Sequence, residues 1–234
     1  MAVDEAIVLV GGLGTRLRAV VSDVPKPLAP VAGRPFLAWM LDHLAAEGMR
    51  HVILATGFMA DKVEELVGRH WAGMTVDYSP EEQPLGTGGA VRRATSLLRE
   101  GGGAHIVNGD TFLRYSPQAL EAATHRVGAT VGVALAHVPD VGRYGAVEFD
   151  AGRVSSFREK GRHGPGHINA GCYFMTADAL AALPDRENFS LEADVLAPLA
   201  MQGGIAAFDY AEQFIDIGVP EDYLRAQALF GAGQ

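Results

Sequence analysis

The side chains best suited to chemistry on phosphate lie between Ile7 and Leu17 and in Pro25-Lys26-Pro27. An apolar run of strand length, Ile7-Val8-Leu9-Val10, enters a loop holding Gly11, Gly12 and Gly14, and that loop delivers Arg16. Glycines let backbone N–H groups approach phosphate oxygens closely, which is how anion-binding loops are built. The Arg16 guanidinium can grip two oxygens in a planar fork, while Lys26, held between rigid prolines, acts as a point charge. The set points to a nucleoside triphosphate and to a reaction at its phosphates. Two known glycine loops are excluded. No G-x-x-x-x-G-K-[ST] starts at Gly11 or Gly12, and Leu17 stands where G-x-G-x-x-G requires its last glycine. A tight strand-to-helix turn without a ligand would explain the glycines alone, but not the arginine and the Pro-Lys-Pro that follow.

These residues need strands and helices to hold them. The 234 residues, 48% apolar and 20% charged, have an ordinary globular balance and ample material for a core. Strands are expected at Glu5–Val10, His51–Ala55, Thr75–Ser79 and Ala104–Val107. Helices are expected at Phe36–Glu47, with an apolar stripe ended by Gly48, and at Asp61–His70 and Gly89–Arg99. This alternation implies a largely parallel sheet that receives ligands beyond the carboxyl ends of its strands. From Ala129 the pattern turns strand-rich, with Ala129–Ala136, Gly145–Phe149, Val154–Phe157 and Asn169–Met175. No glycine/proline-rich linker interrupts the chain, so residues 1–234 are read as a single α/β domain.

Charge and cysteine content narrow the function classes. A net charge of −9 argues against general nucleic-acid or acidic-membrane binding. Locally the sign reverses: Arg16, Arg18, Lys26 and Arg34 face only Asp23 between Gly11 and Arg34. No apolar run of membrane-spanning length and no signal-type N-terminus is present, and the one cysteine, Cys172, fits a reducing cytoplasm. Cys172 sits in the apolar run Ala170 to Met175 and reads as a buried core thiol. The histidines show no paired zinc spacing. His163 and His167 are separated by Gly-Pro-Gly, which suits a surface loop rather than a helical metal face.

GGLGTRL followed by PKP resembles the sugar-1-phosphate nucleotidylyltransferases, which make NDP-sugars from an NTP and a sugar 1-phosphate. The resemblance runs on through EEQPLGTGGA (Glu81 to Ala90), NGD (Asn108 to Asp110), RYG (Arg143 to Gly145), Glu159-Lys160, Asn169-Ala170-Gly171, Phe189-Ser190-Leu191-Glu192 and FIDIGVPEDY (Phe214 to Tyr223). Within that family, PLGTGGA, NGDTF, RYG and the FIDIGVPEDY ending look most like the D-glycero-α-D-manno-heptose 1-phosphate guanylyltransferases. The resemblance implies a Rossmann-like nucleotidyltransferase fold, with a mostly parallel mixed central sheet flanked by helices and a smaller strand-rich sugar-binding part. Residues 1–128 would then form the nucleotide-binding half, and residues 129–234 the sugar-binding half with terminal helices. No hexapeptide repeats follow Asp222, so no left-handed β-helix is expected.

The implied reaction is attack by a sugar 1-phosphate oxygen on the α-phosphorus of GTP, expelling pyrophosphate. A phosphate monoester with a second pKa of about 6 is already mostly dianionic at neutral pH, so no general base is needed. The task is to offset repulsion between two polyanions, by positioning and electrostatics. The resemblance places Leu9, Gly11, Gly12, Gly14, Thr15, Arg16, Gly86, Thr87, Gly88, Asn108 and Gly109 on the nucleotide. It makes Arg16, Lys26 and Lys160 the catalytic cations, with Lys160 on the phosphate of the sugar. Asp110 and Asp216 are the implied Mg²⁺ ligands, an oxygen-only set that this ion prefers. An Asx-type turn at Asp110 and a helix cap at Asp216 are the bland alternatives. Tyr144, Gly145, Glu159, Asn169 and Gly171 are implied at the sugar, Glu159 and the Gly145 backbone exchanging hydrogen bonds with its hydroxyls. Gly145 and Gly171 equally suit strand bulges. Many relatives have proline after the lysine of Glu159-Lys160, and here Gly161 follows it.

Glu81 is the candidate for reading the base. Guanine presents N1–H and N2–H₂ donors side by side, and one carboxylate accepts both. Uracil and thymine present a single N3–H between two carbonyls, which a carboxylate repels. GTP is therefore expected over UTP or dTTP, with Glu82 the alternative reader. Mannose 1-phosphate with GTP, or another sugar or cyclitol phosphate with UTP, would keep the same chemistry. A non-catalytic nucleotide-sugar-binding subunit would have no need of Arg16, Lys26, Asp110 and Asp216 together. The last helix, with Tyr223, Leu224 and Phe230, packs on the core or on a second copy in a homodimer.

Overall fold

A computed structural model of the protein describes residues 2–12, 24–99 and 101–231. β1 (Glu5–Leu9) opens the chain, and a 3₁₀ turn over Lys26–Leu28 leads to the hairpin β2 (Pro30–Val31) and β3 (Arg34–Pro35). Then come α1 (Phe36–Ala46), β4 (His51–Thr56), α2 (Ala60–Val67), β5 (His70–Trp71), β6 (Met74–Pro80) and α3 (Gly86–Ala94). β7 (Gly103–Asn108), β8 (Thr111–Arg114), α4 (Pro117–Arg126) and β9 (Val131–Val138) follow. The rest comprises β10 (Val147–Asp150), β11 (Arg153–Phe157), β12 (Gly166–Thr176), α5 (Ala177–Ala181), a π-helical turn over Leu191–Leu196, α6 (Ala197–Met201), β13 (Ile205–Phe208), β14 (Gln213–Asp216) and α7 (Pro220–Gly231).

Ten strands form one sheet in the order β10-β11-β13-β9-β12-β7-β1-β4-β6-β5. β10, β13, β9, β7, β1, β4 and β6 run in one direction, and β11, β12 and β5 run against them. The sheet is mixed and mostly parallel, as expected. β7 and β12 pair antiparallel at its middle, so strands from the two ends of the chain share one sheet. Central β1 is apolar on both faces because helices cover both. Alternation sends Ala6 and Val8 into one apolar cluster and Ile7 into the other. Phe36, Leu37, Met40, Leu41 and Leu44 of α1 close the first cluster, and Ala90, Val91 and Ala94 of α3 close the second.

The element edges follow local chemistry. Gly68, at φ +68°, stops α2 at Val67, so His70 belongs not to a helix but to β5, pairing with Thr75. α3 starts earlier than expected, at Gly86, and gives way to a 3₁₀ turn over Thr95–Leu97. Ser116 caps α4 by accepting the Ala119 N–H, with Pro117 at the first helical position. A separate two-stranded ribbon, β8 with β14, sets Asp216 opposite Thr111.

Candidate active site

The β8–β14 ribbon assembles the centre of the site. Asp110 precedes β8 and Asp216 ends β14, and the Ile217 N–H donates 3.1 Å to the Asp110 carbonyl, closing the ribbon. Lys26 opens the 3₁₀ turn after Pro25, its side chain only 8% exposed. Its ammonium donates to Asp110 Oδ2 at 2.6 Å and stands 3.5 Å from Asp216 Oδ1. Burying that lysine is tolerable because two carboxylates neutralise it. Of the bland alternatives, an Asx-type turn does occur, but at Asp216, whose Oδ1 accepts the Gly218 N–H at 2.6 Å.

Beside this centre lies the carboxyl end of β1. Gly109 hydrogen-bonds the Leu9 carbonyl at 2.9 Å, and a Cβ on it would come within 2.5 Å of that oxygen. Only glycine lets these two strand ends approach so closely. Gly11 and Gly12 continue from the strand, while Gly14, Thr15 and Arg16 lie outside the described residues. Asn108 ends β7, and its Oδ1 is buried with no hydrogen-bond partner among the described residues.

Glu81 faces this glycine loop. A Cβ on Gly11 would stand 2.6 Å from Glu81 Oε1, while Glu81 Oε2 accepts the Leu85 N–H at 2.9 Å. Burial raises its carboxyl above the usual carboxylate range, opposed by the Leu85 N–H and by Arg93. Glu82 is exposed and lines a different groove, with Arg92, Arg93 and Arg186. The glycines after Glu81 have a structural occupation. A Cβ on Gly88 would lie 2.2 Å from the Phe189 ring, one on Gly89 2.1 Å from the Glu187 carbonyl, and one on Gly86 2.5 Å from the Phe189 carbonyl. Their missing side chains let the start of α3 pack on the segment 187–189. Thr87 is likewise engaged, donating 2.6 Å to Glu192 Oε2 and accepting the Leu191 N–H at 2.9 Å.

A cavity of about 710 Å³ opens from the aspartate pair toward the antiparallel strands. Tyr144, Gly145, Glu159, Lys160, Asn169 and Gly171 all line it, together with Asn108, Asp110 and Asp216. The strand register between β9 and β12 shifts between Asn169 and Tyr173, and Gly171, at φ +72°, packs there over Asn108. Within that bulge Asn169 donates to the Tyr173 hydroxyl and accepts the Gly171 N–H, each at 3.0 Å. Gly145, at φ +86°, has its N–H on the Val141 carbonyl at 2.9 Å. That N–H is engaged inside the turn, while Gly145 itself lines the cavity. Glu159 and Lys160 are exposed at the cavity edge.

Two groups the sequence assigned no role complete the picture. Arg143 and the buried Asp222 form an ion pair beside Asp216. RYG and FIDIGVPEDY both contain them, but nothing in their spacing announces the contact. His163 bonds Asp140 at 3.0 Å, while His167 faces His137 across the strands, so the two do not form a pair. Cys172 is buried, and burial pushes its thiol up to about 12, which removes it as a nucleophile. Among the described residues no group of three or more histidine, cysteine or acidic side chains could hold a metal ion.

The nucleotidyl transferase family matches residues 5–232. The chain is 39% identical over 223 residues to a D-glycero-alpha-D-manno-heptose 1-phosphate guanylyltransferase from Aneurinibacillus thermoaerophilus, covering 95% of this chain and 96% of that one. A protein of the same description from Campylobacter jejuni is 36% identical over 220 residues, covering 94% and 96%. The crystal structure of HddC from Yersinia pseudotuberculosis complexed with GMP-PN superposes with a TM-score of 0.86 at 34% identity, covering 97% of this chain and all of that one.

Proposed function

The chain belongs to the nucleotidyl transferase family, and we propose that it transfers GMP from GTP to D-glycero-α-D-manno-heptose 1-phosphate, releasing pyrophosphate and GDP-heptose. The observation that carries this reading is the meeting of two surfaces at one charged centre. The ends of β1 and β7, with Glu81 beside the glycine loop, adjoin Asp110, which Lys26 links to Asp216, and the cavity lined by Tyr144, Glu159 and Lys160 opens on the same two aspartates. The two relatives described as heptose 1-phosphate guanylyltransferases share this chain over nearly its whole length, which supports both the base and the sugar.

In this scheme the sugar 1-phosphate enters the cavity as a dianion and attacks the α-phosphorus in line. Lys26 turns from the carboxylates toward the phosphates, and Lys160 neutralises the phosphate of the sugar without protonating it. Glu81 accepts the two guanine donors, and Arg16 of the glycine loop holds the outgoing phosphates. Asp110 and Asp216 fit a hard divalent cation, Mg²⁺, by donor type: oxygen-only, anionic and converging on one positive charge. Two carboxylates leave most of its coordination to phosphate oxygens and water. Bound there, the ion would screen the phosphates and stabilise charge building at the α-phosphorus. Both substrates of this scheme are water-soluble, and we place the reaction in the cytoplasm; separately, no helix among the described residues is long and apolar enough to cross a membrane.

The test is pyrophosphate release with Mg²⁺, each of the four NTPs, and D-glycero-α-D-manno-heptose 1-phosphate or mannose 1-phosphate. Turnover confined to GTP with the heptose is expected. Turnover with UTP would remove the role given to Glu81, and preference for mannose 1-phosphate would replace the sugar.

A further inference from the structure

The alternation of charge at Asp110, Lys26 and Asp216 does not stop at Asp216. Arg143 places Nη2 3.3 Å from Asp216 Oδ2, and its other terminal nitrogen pairs with Asp222 Oδ2. The guanidinium stacks 4.4 Å from the centroid of the Tyr144 ring and donates to the Tyr144 hydroxyl. Asp222 is buried in the first turn of α7, where the helix dipole favours negative charge, and Arg225 holds its second oxygen at 2.6 Å. Asp216 is therefore gripped on both oxygens: Oδ1 by the Gly218 N–H and Lys26, Oδ2 by Arg143.

The two cations on Asp216 differ in what anchors them. Lys26 is a point charge on a flexible stem and can leave for a phosphate. Arg143 is a planar fork with one branch fixed on a buried carboxylate, so it stays when Lys26 goes. We infer that Arg143 is a positioning residue: braced by Asp222 of α7, it fixes the Asp216 carboxylate in the orientation that binds the divalent cation. This rests on the proposed role of Asp110 and Asp216 as the metal ligands. Residues that hydrogen-bond a ligating carboxylate typically change metal affinity by about ten- to a hundredfold when removed.

The test reads metal binding without turnover. Mn²⁺ is titrated by electron paramagnetic resonance into protein held in excess over GTP, with no sugar phosphate, for the wild type and for Arg143→Met, Arg143→Lys, Asp222→Asn and Asp216→Asn. Arg143→Met is expected to weaken Mn²⁺ about tenfold, with Asp222→Asn and the charge-keeping Arg143→Lys weakening it by smaller factors. Wild-type affinity in Arg143→Met beside weakened binding in Asp216→Asn would overturn the brace and leave the metal reading standing. Wild-type affinity in Asp216→Asn would remove the metal reading, and the brace with it. Should the methionine variant not fold, Arg143→Lys carries the comparison, and wild-type affinity there counts against the brace.

Discussion

The two sides of the cleft, to which we assign the nucleotide and the sugar, hold their charged groups in opposite ways. On the nucleotide side Lys26 is almost fully buried between two carboxylates, and Glu81 is pinned by the Leu85 N–H against the glycine loop. On the sugar side Glu159 and Lys160 are exposed, on a turn tied to the body by Gly161 N–H on the Gly142 carbonyl at 2.8 Å. The first side is preorganised, and its desolvated charges are worth more per contact. The second can change its residues with little cost to the fold. That division suits a family in which the phosphate chemistry is common and the acceptor varies.

Removing a carboxylate from the shared centre should break both sides at once. Asp110→Asn or Asp216→Asn is expected to lower kcat for pyrophosphate release by about a thousandfold, through lost electrostatic stabilisation at the α-phosphorus. A loss confined to KM for one substrate would put that aspartate on one side only. Lys160→Met should act on the sugar side alone. A charge-assisted hydrogen bond of about 1.5–3 kcal/mol corresponds to a rise of roughly ten- to a hundredfold in KM for the sugar phosphate, with KM for GTP unchanged. Glu81→Gln should act on the nucleotide side alone, cutting the ratio of kcat/KM for GTP over UTP about tenfold. An unaltered ratio would transfer base reading elsewhere. The smallest effect on activity is expected at the packing glycines. Gly88→Ala pushes a methyl into the Phe189 ring and should cost about 1–3 kcal/mol of stability, read as a lower Tm. An unchanged Tm would mean that the 187–189 segment yields freely.

The sequence made the centre of the site readable and left its supports hidden. Strongly apolar β1 and β4, and the amphipathic stripe of α1, stand out by periodicity. Lys26 stands out by its rigid Pro-Lys-Pro setting, Asp110 and Asp216 only through the family resemblance, and the structure brings all three together. β8 and β14, which achieve this, are four residues each, too short for any alternation to show. Gly86 and Gly88 are implied at the nucleotide by resemblance, and their packing against Phe189 has no signature in the sequence, because a missing side chain looks the same whichever neighbour it makes room for. The pairing of Arg143 with Asp222 spans most of the second half of the chain, and spacing alone carries no signal for such a contact.

In the proposed scheme both substrates meet at Asp110, Lys26 and Asp216, and the sugar phosphate attacks GTP directly, with no protein nucleophile between them. The most direct measurement is exchange of ³²P-labelled pyrophosphate into GTP. Without sugar phosphate or GDP-heptose, no exchange should occur, and label should enter GTP once GDP-heptose is supplied. Exchange with GTP and pyrophosphate alone would reveal a guanylylated enzyme and contradict direct transfer.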